Sequence, residues 1–166
     1  MADTPAFPEK LQRCWHPVAY AHEVMDAPVA ATLLGEAVVV WRTSDGHAHA
    51  MRDLCIHRGT ALSLGWIADD CLVCPYHAWR FDASGACVLI PSLSAHKKIP
   101  EIARVRSYPV AEPAAWVWIW MGDPAAADAA LIPDHHWMKD PAYAPIFGTH
   151  LLEAPYYLLN DNLLDL

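Results

Sequence analysis

The sequence predicts a mainly β chain of antiparallel sheets that carries two metal-binding hairpin loops. Two observations predict it. Short apolar segments, many β-branched or aromatic, are separated throughout by Gly, Asp and Pro turn signals. Among them lie Cys55-Ile56-His57-Arg58-Gly59 and Cys74-Pro75-Tyr76-His77, each joining one thiolate to one imidazole. Sixteen residues separate His57 from Cys74. That is enough for two strands to run out and back, so that the loop tips meet.

The chain has 166 residues, 55% apolar and 18% charged, which describes a folded protein of one domain or slightly more. A formal net charge of −8 argues against nucleic-acid binding, which needs a basic face. Met1-Ala2-Asp3-Thr4-Pro5 has neither the basic nor the apolar region of a signal peptide. The longest strongly apolar stretch, Ala114 to Met121, is too short to cross a bilayer. The expectation is a cytoplasmic protein with no membrane partner. Five cysteines without a signal argue against a disulfide framework. Cys14 and Cys87 are expected to be buried free thiols.

Residues 9–25 open with Leu11, Cys14 and Trp15 at helical spacing, predicting a short helix or turn that His16-Pro17 ends. His22 reads as surface polarity. Ala30, Thr32 and Leu34 lead to the turn Gly35-Glu36, and Ala37 to Arg42 reads as a buried strand. Ser44-Asp45-Gly46 turns the chain into the alternating segment His47 to Met51. His47 and His49 share one face of that strand, which reads as solvent-facing. After the first loop, Leu62 to Trp66 leads to a turn at Asp69-Asp70. Cys71-Leu72-Val73 then enters the second loop and Trp79-Arg80-Phe81 leaves it. Asp82 to Gly85 turns the chain, and Ala86 to Ile90 pairs back. Pro91 to Pro100 is irregular. Val105 to Val110 is a strand, and so is Trp116-Val117-Trp118-Ile119-Trp120, apolar on both faces and therefore internal. Residues 124–147, rich in Ala and Pro, read as a linker in which His135-His136 is an exposed pair. Gly148 to Tyr157 reads as one more strand, and the chain becomes helical from Leu158. It stops mid-pattern without a cap, which predicts a sequence cut just inside a second domain.

Two thiolates and two imidazoles suit tetrahedral zinc. They equally suit a Rieske [2Fe–2S] cluster, in which two His replace two Cys on one iron. Cys71 with Cys74 adds a Cys-x2-Cys that zinc could use. Three features favour iron and sulfur. Each loop holds one Cys and one His, so each reaches both irons. Cys-x-His is tighter than the usual zinc spacing. The flanks Arg58-Gly59, Pro75-Tyr76 and Trp79 suit loops that aim backbone N–H groups at sulfur.

Residues Cys55 to Gly59 and Cys74 through Gly85 closely resemble the Rieske domain of bacterial aromatic ring-hydroxylating oxygenases. The resemblance implies Cys55, His57, Cys74 and His77 as ligands of a [2Fe–2S] cluster. One departure stands out: Ala78 occupies a position where the family usually has Gly. Thr60 and Tyr76 stand where the membrane-anchored, quinol-oxidising Rieske branch would place bridging cysteines, which points away from that branch.

The stretch Asn160 to Leu166 resembles the segment preceding the mononuclear-iron ligands of the vanillate O-demethylase and dicamba monooxygenase branch. This implies a Rieske domain over residues 1–123, a linker over 124–147, and the start of an α+β, helix-grip catalytic domain over 148–166. It also implies a mononuclear Fe(II) held by two His and a carboxylate beyond Leu166, the first His within three residues. Asp165 would be the carboxylate bridging that centre to His77 of a neighbouring subunit, and Asn162 would face the same iron. On spacing alone, Asp161, Asn162 and Asp165 read as a polar helix face. The implied function is O2-dependent hydroxylation or O-demethylation of an aromatic compound by a homotrimer. Electrons would come from an NAD(P)H-dependent reductase or a ferredoxin, with Arg58, Arg80, Lys97 and Lys98 as contacts for an acidic partner. A soluble Rieske electron carrier without its own catalytic iron is the alternative.

Overall fold

The β-branched run Val38-Val39-Val40 lies at the centre of strand β3, Glu36–Arg42, where Val38 through Trp41 are fully buried. Alternation along the strand divides these side chains between two cores. Val39 and Trp41 join Met51, Leu62, Leu72 and Phe81, together with Cys55 and Cys74. Val38 and Val40 join Ala50, Tyr108, Val117 and Ile119. A strand covered on both faces must be apolar along its length, which is why this segment lacks a polar alternation.

This computed structural model describes residues 7–94 and 96–165. Among the described residues there are three antiparallel sheets and one α-helix. The first sheet has the order β1-β11-β10, from Trp15–Tyr20, Trp116–Trp120 and Val110–Ala111. The second runs β2-β3-β4-β9, adding Val29–Leu33, Ala48–Arg52 and Ser107–Tyr108 to β3. The third runs β5-β6-β7-β8, from Trp66–Ala68, Cys71–Val73, Arg80–Phe81 and Cys87–Leu89. The third sheet packs on the Val39–Trp41 face of β3 and carries the second Cys–His loop between β6 and β7. Asp69 and Asp70 join β5 to β6 with φ of +51° and +54°, the left-handed pair a two-residue hairpin requires.

Four expectations are corrected. The helical stretch is only Glu9–Arg13, a 3-10 turn that buries none of its residues. Trp15 belongs instead to β1, opposite Trp120. Pro17 sits inside β1, tolerated because β1 is an edge strand and its register shifts between Pro17 and Ala19. Val105 to Val110 is two strands rather than one. Pro109 has no N–H for a ladder, so β9 pairs with β4 before it and β10 pairs with β11 after it. No strand forms over residues 148–157, where Leu151 is 92% exposed and no ladder partner is at hand. Helix α1, Tyr156–Leu164, follows Pro155 directly. Cys14 is exposed, because it follows a turn with no buried side, whereas Cys87 is buried as expected.

The Ala- and Pro-rich stretch is pinned to the first sheet. Asp123 and Asp128 cap 3-10 turns at Pro124–Ala126 and Ala129–Leu131. Trp15 Nε1 donates to the Asp128 carbonyl at 2.8 Å, and the Tyr20 hydroxyl donates to the Gly148 carbonyl at 2.8 Å. Among the described residues no helix is long and apolar enough to cross a membrane.

Candidate metal centre

The two Cys–His loops are built alike. The Cys55 N–H donates to the Thr60 carbonyl at 2.8 Å, and the Gly59 N–H donates back to the Cys55 carbonyl at 2.8 Å. In the second loop the Cys74 N–H donates to the Trp79 carbonyl at 2.9 Å, and the Ala78 N–H donates back to the Cys74 carbonyl at 3.0 Å. Each ring closes through a left-handed residue four positions after its Cys, Gly59 at φ +72° and Ala78 at φ +53°. This accounts for the Gly usual at position 78 in the family: an L side chain there costs about 1 kcal/mol. The sole difference in ligand spacing is the imidazole, two residues after Cys55 and three after Cys74.

Both thiols are 2% exposed, at the floor of the site. The imidazoles lie above, with His57 and His77 rings 4.6 Å apart and inclined at 62°. His77 is exposed, with Tyr76 against it at 3.8 Å. The Trp79 indole stacks on His57 at 4.6 Å, within 6° of parallel. Nδ1 of His57 is buried and has no hydrogen-bond partner, as a nitrogen reserved for a metal would be. Burial, with the neighbouring Cys74, pushes the Cys55 thiol up to about 11, against the pull of backbone N–H groups at His57 and Arg58. Burial, then the charges of His77 and Arg58, push His57 down. The imidazole is thus held in the neutral form a metal ligand needs, while iron binding would displace the proton that burial keeps on Cys55.

Among the described residues no three Cys, His, Asp or Glu side chains converge on a single-ion position. Tetrahedral zinc needs four donors around one ion. A two-iron cluster needs only two protein donors at each iron, one thiol pair and one imidazole pair. The residues present fit the second demand. Cys71 lies on β6 opposite Ala68 and its thiol is pushed up by burial.

Two contributors were not singled out from the sequence. Asp53 is the one buried charged residue among those described. Its carboxylate accepts from the Ser63 N–H at 2.7 Å and the Ser63 hydroxyl at 2.6 Å, clamping both ends of the first loop. An acid two residues before a loop cysteine reads as an ordinary turn residue, so no signal marked it. Trp79 was visible only as an aromatic flank.

The other candidates lie apart. Asn162 is on α1 and Asp165 directly follows it; both are exposed and make no hydrogen bond or ion pair with the loops. Arg58, Lys97 and Lys98 are exposed, while Arg80 is paired with Asp69. His47 faces solvent beside Asp45 at 3.0 Å. His49 is half-buried instead, with its Nε2 3.0 Å from the Thr43 hydroxyl. His22 is exposed; His136 is exposed beside Asp134, and His135 is half-buried near Trp118.

Paired Cys–His loops held over a core shared by the second and third antiparallel sheets define an iron–sulfur domain of the Rieske class. The chain belongs to the Rieske [2Fe-2S] domain family, whose model matches residues 14–109. It is 42% identical to the putative toluene-4-sulfonate monooxygenase system iron-sulfur subunit TsaM2 of Comamonas testosteroni, over 93% of this chain and 44% of that protein. It is 39% identical to the oxygenase component of dicamba O-demethylase of Stenotrophomonas maltophilia, over 94% of this chain and 45% of that protein. A crystal structure of dicamba monooxygenase bound to dicamba matches with a TM-score of 0.88 and 39% identity, over 93% of this chain and 46% of that one. The chain thus spans about half the length of the curated relatives it matches.

Proposed function

We propose that this chain is the electron-relaying part of a Rieske non-haem iron oxygenase acting on an aromatic compound by hydroxylation or O-demethylation. One observation carries the reading. Similarity to oxygenase components extends over 93% of the chain, well past the Rieske match at residues 14–109. A separate electron carrier would share only the Rieske part.

Cys55 and Cys74 would hold one iron of the cluster, and His57 and His77 the other. When bound there, the [2Fe–2S] cluster would supply one-electron transfer between a reductase or ferredoxin and the oxygenase iron. The buried thiols deprotonate on assembly, so loading releases protons. His57 is held inside the site, while His77 is exposed. Asp165 would accept from His77 of a neighbouring subunit and fix its tautomer, with Asn162, three residues earlier, facing the same iron. That arrangement calls for a homotrimer with residues 1–123, 124–147 and 148–166 as domain, linker and start of the catalytic domain. Exposed Arg58, Lys97 and Lys98 are available to an acidic NAD(P)H-dependent reductase. The protein works in the cytoplasm.

Purified, reconstituted chain is expected to hold two iron and two acid-labile sulfide, and to give a low-g EPR signal on reduction. Colourless protein with stoichiometric zinc would sink the ligand assignment. The complete protein, supplied with NAD(P)H, reductase and methoxylated benzoates, is expected to consume O2 and release formaldehyde. Reduction without O2 consumption across a panel of aromatic acids, ethers and sulfonates would favour a carrier.

A further inference from the structure

We infer that Trp79 is a positioning residue that staples one Cys–His loop to the other, holding the His57 imidazole in its ligating orientation and keeping water from one face of it. The inference rests on the ligand reading above and deepens it. The backbone of Trp79 belongs to the second loop, where its carbonyl accepts the Cys74 N–H at 2.9 Å. Its indole lies on the imidazole of the first loop, 4.6 Å away and within 6° of parallel. The side chain also packs against the core that contains Cys55 and Cys74. Trp79 therefore touches both halves of the site at once.

The near-symmetry of the loops isolates what the indole does. Thr60 occupies the matching place in the first loop, and its carbonyl accepts the Cys55 N–H at 2.8 Å. The backbone ring closes equally well with a threonine or a tryptophan. The aromatic side chain is thus not needed to fold the loop, and its own demand comes from what it faces. His57 has the flat indole on one face and the edge-on His77 ring, inclined at 62°, beside it. An imidazole so enclosed keeps one ring orientation, with its buried Nδ1 unpartnered.

Two consequences follow from chemistry. A metal ligand whose orientation is held by a neighbour loses affinity when that neighbour is removed. Reduction adds one negative charge to the site, and water admitted beside His57 would stabilise that charge and raise the potential.

The test compares the cluster-loaded chain with its Trp79→Phe and Trp79→Leu variants. Three readouts are taken: EPR of the dithionite-reduced protein, midpoint potential by visible circular dichroism, and rate of cluster loss to a chelator. Phe retains a stacking face, so spectrum, potential and loss rate should stay close to the parent's. Leu removes it, so the potential should move upward and cluster loss should speed up roughly 10-fold. A Leu variant that cannot be loaded, beside a Phe variant with the parent spectrum, also upholds the inference. A Leu variant indistinguishable from the parent overturns it. So does a Phe variant that fails as Leu does, since packing volume rather than a stacked face would then be at work. A parent chain that takes up no iron and sulfide overturns the ligand assignment itself.

Discussion

Ala78 has φ +53° at the position whose counterpart in the first loop is Gly59 at +72°. An L residue is strained there, and glycine is not. Ala78→Gly is expected to stabilise the chain by about 1 kcal/mol, read as a raised urea midpoint with an unchanged slope. Cys55 makes a second residue-level prediction. Burial, with the neighbouring Cys74, pushes the Cys55 thiol up to about 11, above the ordinary value of 9. The raised value means that the folded state favours the protonated thiol. This contribution is fully present below pH 9 and is lost as pH rises toward 11. Urea titrations of the metal-free chain should show stability falling across that window. The loaded chain should show a smaller fall, because its ligand thiolates are already committed to iron while the Cys71 and Cys87 thiols, also pushed up by burial, still ionise.

At the scale of elements, the approach of the first loop to the second depends on Gly65. This residue ends the 3-10 turn Leu62–Leu64 and starts the run into β5. A Cβ on Gly65 would stand 1.9 Å from the Val73 carbonyl oxygen, on the strand that feeds Cys74. Its φ of −87° is ordinary, so space and not backbone freedom demands glycine. Gly65→Ala should cost roughly 3 kcal/mol of stability and loosen cluster retention, measured by urea unfolding and by iron content after gel filtration. The split of β9 from β10 at Pro109 belongs to the same scale. One proline hands the chain from the second sheet to the first, so both sheets share the Tyr108–Val117–Ile119 core.

For the whole molecule, Arg42 is a joint between sheets. Its guanidinium grips both oxygens of Glu112 at 3.0 and 2.7 Å and also donates to the carbonyls of Ala21, Val24 and Gly46. The ion pair is mostly shielded from solvent, with side-chain exposures of 16% and 25%. Arg42→Met should lower stability by roughly 2 kcal/mol while leaving the cluster potential unchanged, since none of these contacts reaches the loops. A shifted potential would show that the sheets transmit strain to the site. Under the oxygenase reading proposed above, Asp165→Asn in the assembled oxygenase should leave both metal centres loaded and stop electron transfer between them, followed by single-turnover spectroscopy. Unchanged turnover would remove the bridging role.

Much of the site was legible because its signals are local. A Cys and a His two or three residues apart, flanked by turn residues, announce a ligand loop wherever the chain places it. Two such loops separated by strand-length segments announce a pair. The valine run of β3 and the tryptophan run of β11 likewise declare their burial, since a strand covered on both faces must be apolar throughout. The stretch at 148–157 misled because β-like composition cannot say whether a partner strand exists. Cys14 misled because residue type says little about which side of a chain is covered. Asp53 clamping Ser63 and Trp79 lying on His57 join residues separated by a whole loop, and no periodicity encodes such a contact. Residue chemistry along the chain specifies which groups can bind iron and sulfur. Tertiary packing decides which of them are buried, how their rings are held, and that four donors meet as two pairs suited to two irons.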